Sequence, residues 1–186
     1  ASQDNNNILL PDEIQMLEPQ PDMVQWSVAG RFLLMDKMAQ QLIGLGLTGD
    51  LQMVGGFGRQ NYTFVEPIWM GVTPEGILVV DRLDNRIISL DYRLNFIRTT
   101  VLEPRIFPEL AAVDPWGQLY LYSNQYHSIF SVERGTLDPK PHIDLNIFSD
   151  INSCIREISI NQDGSLGILT CDDNVHLFSR LGQYNK

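Results

Sequence analysis

Short apolar runs, each entered through a glycine-containing turn, recur along the chain: RFLLMD from Arg31, GILVVD from Gly76, QLYLYS from Gln118 and SLGILT from Ser165. Runs of this length are too short for helices, and apolar residues at successive positions fit strands buried on both faces. The turn glycines Gly30, Gly76, Gly117 and Gly164 are 46, 41 and 47 residues apart. Four strands of about five residues with their turns need roughly 40 to 45 residues, so the spacing predicts a repeated four-stranded antiparallel unit. Each unit carries a Gly turn where positive φ is allowed, as at Pro74-Glu75-Gly76 and Gln162-Asp163-Gly164. A second strand follows (Ile77–Val80, Leu119–Tyr122, Leu166–Leu169), then a polar connection (DRLDN, SNQYH, CDDN). The third strand comes next (Arg86–Leu90, Ser128–Val132, Val175–Ser179), and a more polar outer strand is clearest at Asn95–Val101. No segment has a convincing amphipathic helical period.

A four-stranded sheet cannot bury both its faces alone, whereas sheets set radially around an axis bury them against one another. The pattern therefore predicts an all-β, single-domain β-propeller over 1–186, with four blades at about 24–55, 67–102, 110–148 and 154–180. The last blade lacks an obvious outer strand, since only LGQYNK follows Ser179. The stretch 8–17, apolar at Ile8, Leu9, Leu10, Ile14, Met16 and Leu17, is otherwise unemployed. It is expected to complete the last blade and close the ring, which hides sheet edges. The rival arrangement is an open half-ring completed by dimerisation.

The segment GGFGRQNYTFVEPIWMGVTPEGILVVDRLDNRIISLD resembles an NHL-type repeat. The matching positions are Gly55, Gly56, Gly58, Phe64, Pro67, Gly76, Asp81, Asn85, Arg86 and Ile87. The match covers about residues 49–91; the third copy has Tyr122, Tyr126 and His127 where the motif has Asp, Asn and Arg, and the fourth keeps only Asp172-Asp173-Asn174. The resemblance implies a propeller and leaves function open, because propellers carry hydrolases, lyases and binding surfaces alike.

Composition narrows the partners. A formal charge of −10 repels phosphate backbones, and the 13 Lys and Arg form no stripe that would offset it, so nucleic acid is not an expected ligand. No apolar run reaches the roughly 18 residues of a membrane-spanning helix. The start at Ala1 without Met reads as a processed or trimmed product, and Asn61-Tyr62-Thr63 is a glycosylation triplet.

The residues of chemical interest lack a catalytic constellation. His127, His142 and His176 have no metal-ligand spacing, and neither a Gly-x-Ser-x-Gly elbow nor a phosphate loop is present. Asp81 with Asp84, and Asp172 with Asp173, offer oxygen ligands of the kind Ca²⁺ takes, although Asp in turns usually bonds its own backbone. No resident cofactor is expected, with Ca²⁺ as the candidate if there is one. A two-residue loop at Asp163-Gly164 would set Cys154 opposite Asp173 and Cys171 opposite Arg156. The cysteines are then diagonal neighbours, roughly 7–8 Å apart, and a disulfide requires a bulge. The candidate bridge and the start of the chain favour an extracytoplasmic, periplasmic or secreted location.

Two functional classes remain. One is a non-catalytic binding or scaffolding module that offers loops to a protein partner, as a subunit of a complex or a homodimer. The other is a hydrolase or lyase with carboxylates and histidine at the channel mouth. The first is the expectation, and its candidate partner-binding residues are Trp69, Asp84, Phe107, Tyr126, His127, Asp172 and Asp173, gathered on the rim that holds the loops after the second strands.

Overall fold

The computed structural model describes residues 12–16, 18–56, 62–151 and 153–185. After one helical turn, α1 (Asp12–Gln15), the chain runs through four antiparallel sheets, each built in sequence order from its inner to its outer strand. Blade 1 holds β1 (Met23–Ser27), β2 (Arg31–Asp36), β3 (Gln41–Gly46) and β4 (Leu51–Gly55). Blade 2 holds β5 (Pro67–Thr73), β6 (Gly76–Asp81), β7 (Arg86–Leu90) and β8 (Phe96–Val101). Blade 3 holds β9 (Leu110–Val113), β10 (Leu119–Ser123), β11 (Ser128–Glu133) and an outer strand in two pieces, β12 (Thr136–Leu137) and β13 (Ile143–Asp144). Pro139 and Pro141 lie between those pieces; having no N–H, they leave the ladder there, and His142 N rejoins it at Ile129 O over 2.8 Å. Blade 4 holds β14 (Ile155–Ile160), β15 (Leu166–Thr170), β16 (Val175–Phe178) and β17 (Tyr184–Asn185).

Inner strand packs beside inner strand, β1 by β5, β5 by β9 and β9 by β14, which is a four-bladed β-propeller architecture. The continuous apolar runs of the middle blades serve two seams at once. In β6, Ile77 and Val79 face blade 1, while Leu78 and Val80 face blade 3. In β10, Leu119 and Leu121 face blade 2, while Tyr120 and Tyr122 face blade 4.

The closing strand differs from the expectation. Tyr184–Asn185 fills the outer position of the last blade, within the tail LGQYNK. Of the stretch 8–17, Asp12–Gln15 is helical, and 8–11 and 17 lie outside the described residues. The outward faces of the end blades also carry exposed apolar side chains: Val24 (59%) and Trp26 (49%) on blade 1, Val175 (66%) and Leu177 (52%) on blade 4. A ring closed through these faces would bury them against each other.

Candidate functional site

The blades present two rims. One gathers the hairpin turns between first and second strands and between third and fourth strands. The other, the connection rim, gathers the turns between second and third strands together with the segments that lead from one blade to the next.

On the connection rim the same corner recurs in each blade. Gln40, Asn85 and His127 end their turns with φ of 55°, 50° and 47°, and Asp173 in blade 4 has φ 63°. These values are uncommon for residues other than glycine, and in the first three blades they aim the side chain across at the connecting segment. Gln40 Nε2 donates to Val65 O (2.6 Å), Asn85 Nδ2 to Leu102 O (2.5 Å) and His127 Nε2 to Ile151 O (2.9 Å). Asn85 Oδ1 also accepts from Ile106 N (3.1 Å) and Phe107 N (2.8 Å). Because a carbonyl only accepts, His127 Nε2 is the donor there, and its Nδ1 lies 3.2 Å from the Tyr122 hydroxyl, which itself donates to Asn124 Oδ1 at 3.2 Å.

Charge and sulfur complete these fastenings. Asp81, fully buried, accepts from Val65 N (3.0 Å) and Glu66 N (2.8 Å) and pairs with Arg86 at 3.1 Å. Arg86 reaches on to Thr63 O (2.7 Å) and Asp84 (2.8 Å). In blade 4, Cys154 of the connecting segment is joined to Cys171 by a disulfide with Cα atoms 5.4 Å apart. The observed hairpin pairs Ile160 with Leu166, and a bulge between Ile155 and Glu157 shifts the register again, which sets the two cysteines directly opposite. The Asp81, Asn85 and Arg86 positions of the NHL-like segment therefore hold the chain together. The structure also moves the third copy by one residue, placing Ser123, His127 and Ser128 where Asp81, Asn85 and Arg86 stand.

The seven candidate residues are spread over this frame. Trp69 is a strand residue, laid over Gly71, where an added Cβ would come within 1.9 Å of its ring, and packed into the seam between blades 2 and 3. Asp84 is paired with Arg86. Tyr126 packs edge-on to Phe130, with ring centroids 5.6 Å apart. Asp172 accepts from the Thr170, Ser153 and Asn174 side chains, which hold its carboxyl down to about 2, and Asp173 pairs with Arg156 at 2.8 Å. The acid pairs named for Ca²⁺ are thus engaged elsewhere, and among the described residues no group of three or more His, Cys, Asp or Glu is placed to hold a metal.

Phe107 lines a hollow. About 200 Å³ in volume, it lies on the connection rim between blades 2 and 3, with Glu66, Arg82, Leu83, Glu109 and Gln125. Arg82 is forked onto Glu66, Nε to Oε2 at 2.8 Å and Nη2 to Oε1 at 2.6 Å. That hydrogen-bonded pairing, reinforced by the charges of Glu66 and Glu109, raises the Arg82 pKa against the opposing effect of burial. Glu109 has no ion-pair partner among the described residues. Burial, then the charge of Glu109, push the nearby Tyr122 hydroxyl up to about 12, so it stays protonated. Sequence reasoning missed Glu66, Arg82 and Glu109. The available signal was that Glu66 and Glu109 hold the same place, the last residue before an inner strand.

No protein-family model matches the chain, and no curated protein sequence does. Solved structures match its fold. A catalytically inactive virginiamycin B lyase from Staphylococcus aureus with quinupristin shares 17% identity over 87% of this chain and 53% of its own, with a TM-score of 0.64. A gluconolactonase from Xanthomonas campestris shares 13% over 88% and 60%, TM-score 0.67. Hydrazine synthase of Kuenenia stuttgartiensis shares 16% over 90% and 48%, TM-score 0.67. The chain spans about half to three fifths of the length of these structures. These neighbours are enzymes, which runs against the expectation of a non-catalytic module.

Proposed function

We propose that the chain forms a propeller-type hydrolase or lyase that receives an ester- or lactone-like carbonyl compound, and that its reacting site is the connection-rim hollow between blades 2 and 3. The observation that carries this reading is the pairing of an anchored cation with a free carboxylate at one hollow, Arg82 held by Glu66 beside unpaired Glu109. The fork uses Nε and one terminal nitrogen of Arg82, leaving Nη1 to donate to a carbonyl oxygen. A guanidinium already fixed in place stabilises the charge that grows on that oxygen without having to reorganise. Glu109 takes a proton, either from water as its oxygen adds to the carbonyl, the acyl C–O bond then breaking and the proton passing to the released alkoxide, or from the carbon beside the carbonyl as a double bond forms and the substituent on the next carbon leaves with that proton. The neighbours' activities support this class, and a gluconolactonase among them supports the carbonyl chemistry.

The test is acid release and double-bond formation across a panel of lactones and esters, with Arg82→Lys alongside the parent. Lysine cannot fork onto Glu66 and hold a planar donor at the same time. The expected outcome is turnover by the parent and a loss of about a hundredfold in the variant. Equal turnover by both, or none on any carbonyl substrate, contradicts the reading. An oxidising compartment is proposed as well, supported by the Cys154–Cys171 bridge. Assignment of blade 2 to the NHL-type repeats is a further proposal, supported by its matching residues.

A further inference from the structure

On the opposite, hairpin rim the seam between blades 2 and 3 opens into a second cavity, of about 520 Å³, which lies within the size range of small-molecule sites. The space exists because small residues stand where the sheets face each other: Gly76, Ser89, Gly117 and Gly135 line it. Leu78, Ile87, Leu119 and Val132, from the facing sheets, make its apolar floor. Three arginines converge on its mouth from three blades, Arg98 of β8, Arg134 of the β11–β12 hairpin and Arg180 beyond β16.

All three are solvent-exposed, and two of them rest against a neighbour. Arg134 and Gly135 take φ of 50° and 80°, a turn whose first position is normally Asn, Asp or Gly, so the hairpin holds an arginine in a strained conformation. Arg98 lies against that turn, with Cζ and Nη2 both 3.2 Å from where a Cβ on Gly135 would sit. Arg180 stacks over Trp116, 4.1 Å from the ring centroid. Glu75 and Glu133 also line the cavity, yet none of the three arginines has an ion-pair partner among the described residues. In a chain of net charge −10, a cavity lined by three guanidinium groups against the two carboxylates of Glu75 and Glu133 keeps a local positive balance that favours an anion.

We propose that this cavity binds a small organic anion with a flat apolar body, its acidic group held by Arg98 and Arg134 and its body lying on the apolar floor beside the Trp116–Arg180 stack. Arginine pairs hold carboxylate, sulfonate or phosphate oxygens in a planar fork, and the floor supplies the contact that a bare inorganic anion cannot make. The site is separate from the reacting hollow, so its test is binding rather than turnover.

Calorimetric titration with 2-naphthoate, its neutral amide and inorganic phosphate tests the proposal. The expected result is saturable binding of 2-naphthoate at least about tenfold tighter than of the amide or of phosphate. A double variant, Arg98→Gln with Arg134→Gln, is expected to lose about tenfold in affinity, and Arg105→Gln, outside the cavity, to lose none. Arg134→Gly supplies a second readout: relief of the strained turn should raise Tm by about 2–4 °C while binding weakens. Equal affinity for acid and amide, equal affinity for phosphate, or indifference of binding to the double variant would each overturn the site.

Discussion

The seam between blades 3 and 4 and the seam between blades 2 and 3 are built from the same repeated strands and end in opposite states. Between blades 3 and 4 the space is filled by rings: Phe148, Phe178 and Tyr184 lie within 5.1–5.4 Å of one another, and Tyr120 meets His142 at 5.1 Å. His176 Nδ1 and the Tyr184 hydroxyl share a 2.8 Å hydrogen bond. Between blades 2 and 3 the middle is mostly aliphatic, with Val80, Ile87, Leu119 and Leu121 beside the rings of Phe130 and Trp69, and both ends are open, a hollow on one rim and a cavity on the other. One seam spends its side chains on cohesion, while the other leaves charged groups facing space that a ligand can enter. The repeat sets the distance between sheets, and the choice of ring or small residue decides whether that distance is filled.

The first way to break the comparison is to empty the filled seam. Phe178→Ala removes a fully buried ring and is expected to cost about 3–5 kcal/mol, read by denaturant unfolding. A loss below about 1 kcal/mol would show that the aromatic seam is not where the cohesion lies. Next in size is the covalent fastening. Cys154→Ser with Cys171→Ser opens a loop of 17-residue separation and should cost about 3 kcal/mol, with added reductant bringing the parent to the same stability. A variant as stable as the parent would make the bridge incidental to the seam.

The smallest effect concerns acid. Hydrogen bonds from Thr170 and Ser153 lower the Asp172 pKa to about 2, beneath an unfolded value of about 3.9. A depressed carboxylate contributes stability that is present above the unfolded pKa and lost as pH falls through the folded one. Melting temperature should therefore fall between about pH 4 and pH 2, and Asp172→Asn should flatten that part of the profile. An unchanged acid slope in the variant would place the loss in other carboxylates.

The architecture was legible because its signals are local and repeated. A turn glycine followed by an apolar run marks every second strand, and the run's length and lack of helical period fix its type. What escaped did so for equally local reasons. The outer strand of the last blade is two residues long, Tyr184–Asn185, too short to carry any pattern. Trp69 sits just past a bulge between Pro67 and Trp69, where alternation along the strand breaks and position no longer tells which way a side chain points. His127 was set one place off because Tyr122 stood where an Asp was sought, whereas the corner itself is Ser123. Glu66, Arg82 and Glu109 are single charges, and a single charge before a strand or in a turn reads as solvated surface until the fold brings two blades together. The motif that did stand out, Asp81 with Asn85 and Arg86, is conspicuous because it fastens chain to chain, and the working groups lie beside it.

The most direct measurement of the central claim sets one residue of the hollow against one of the fastenings, Glu109→Gln beside Asp172→Asn, in kcat/KM on the best carbonyl substrate and in Tm at neutral pH. If the open seam works and the corners only hold, Glu109→Gln loses about a hundredfold or more in kcat/KM at parental Tm, and Asp172→Asn keeps its turnover with a lowered Tm. Parental turnover in Glu109→Gln, or loss of turnover in Asp172→Asn with Tm unchanged, would contradict the account.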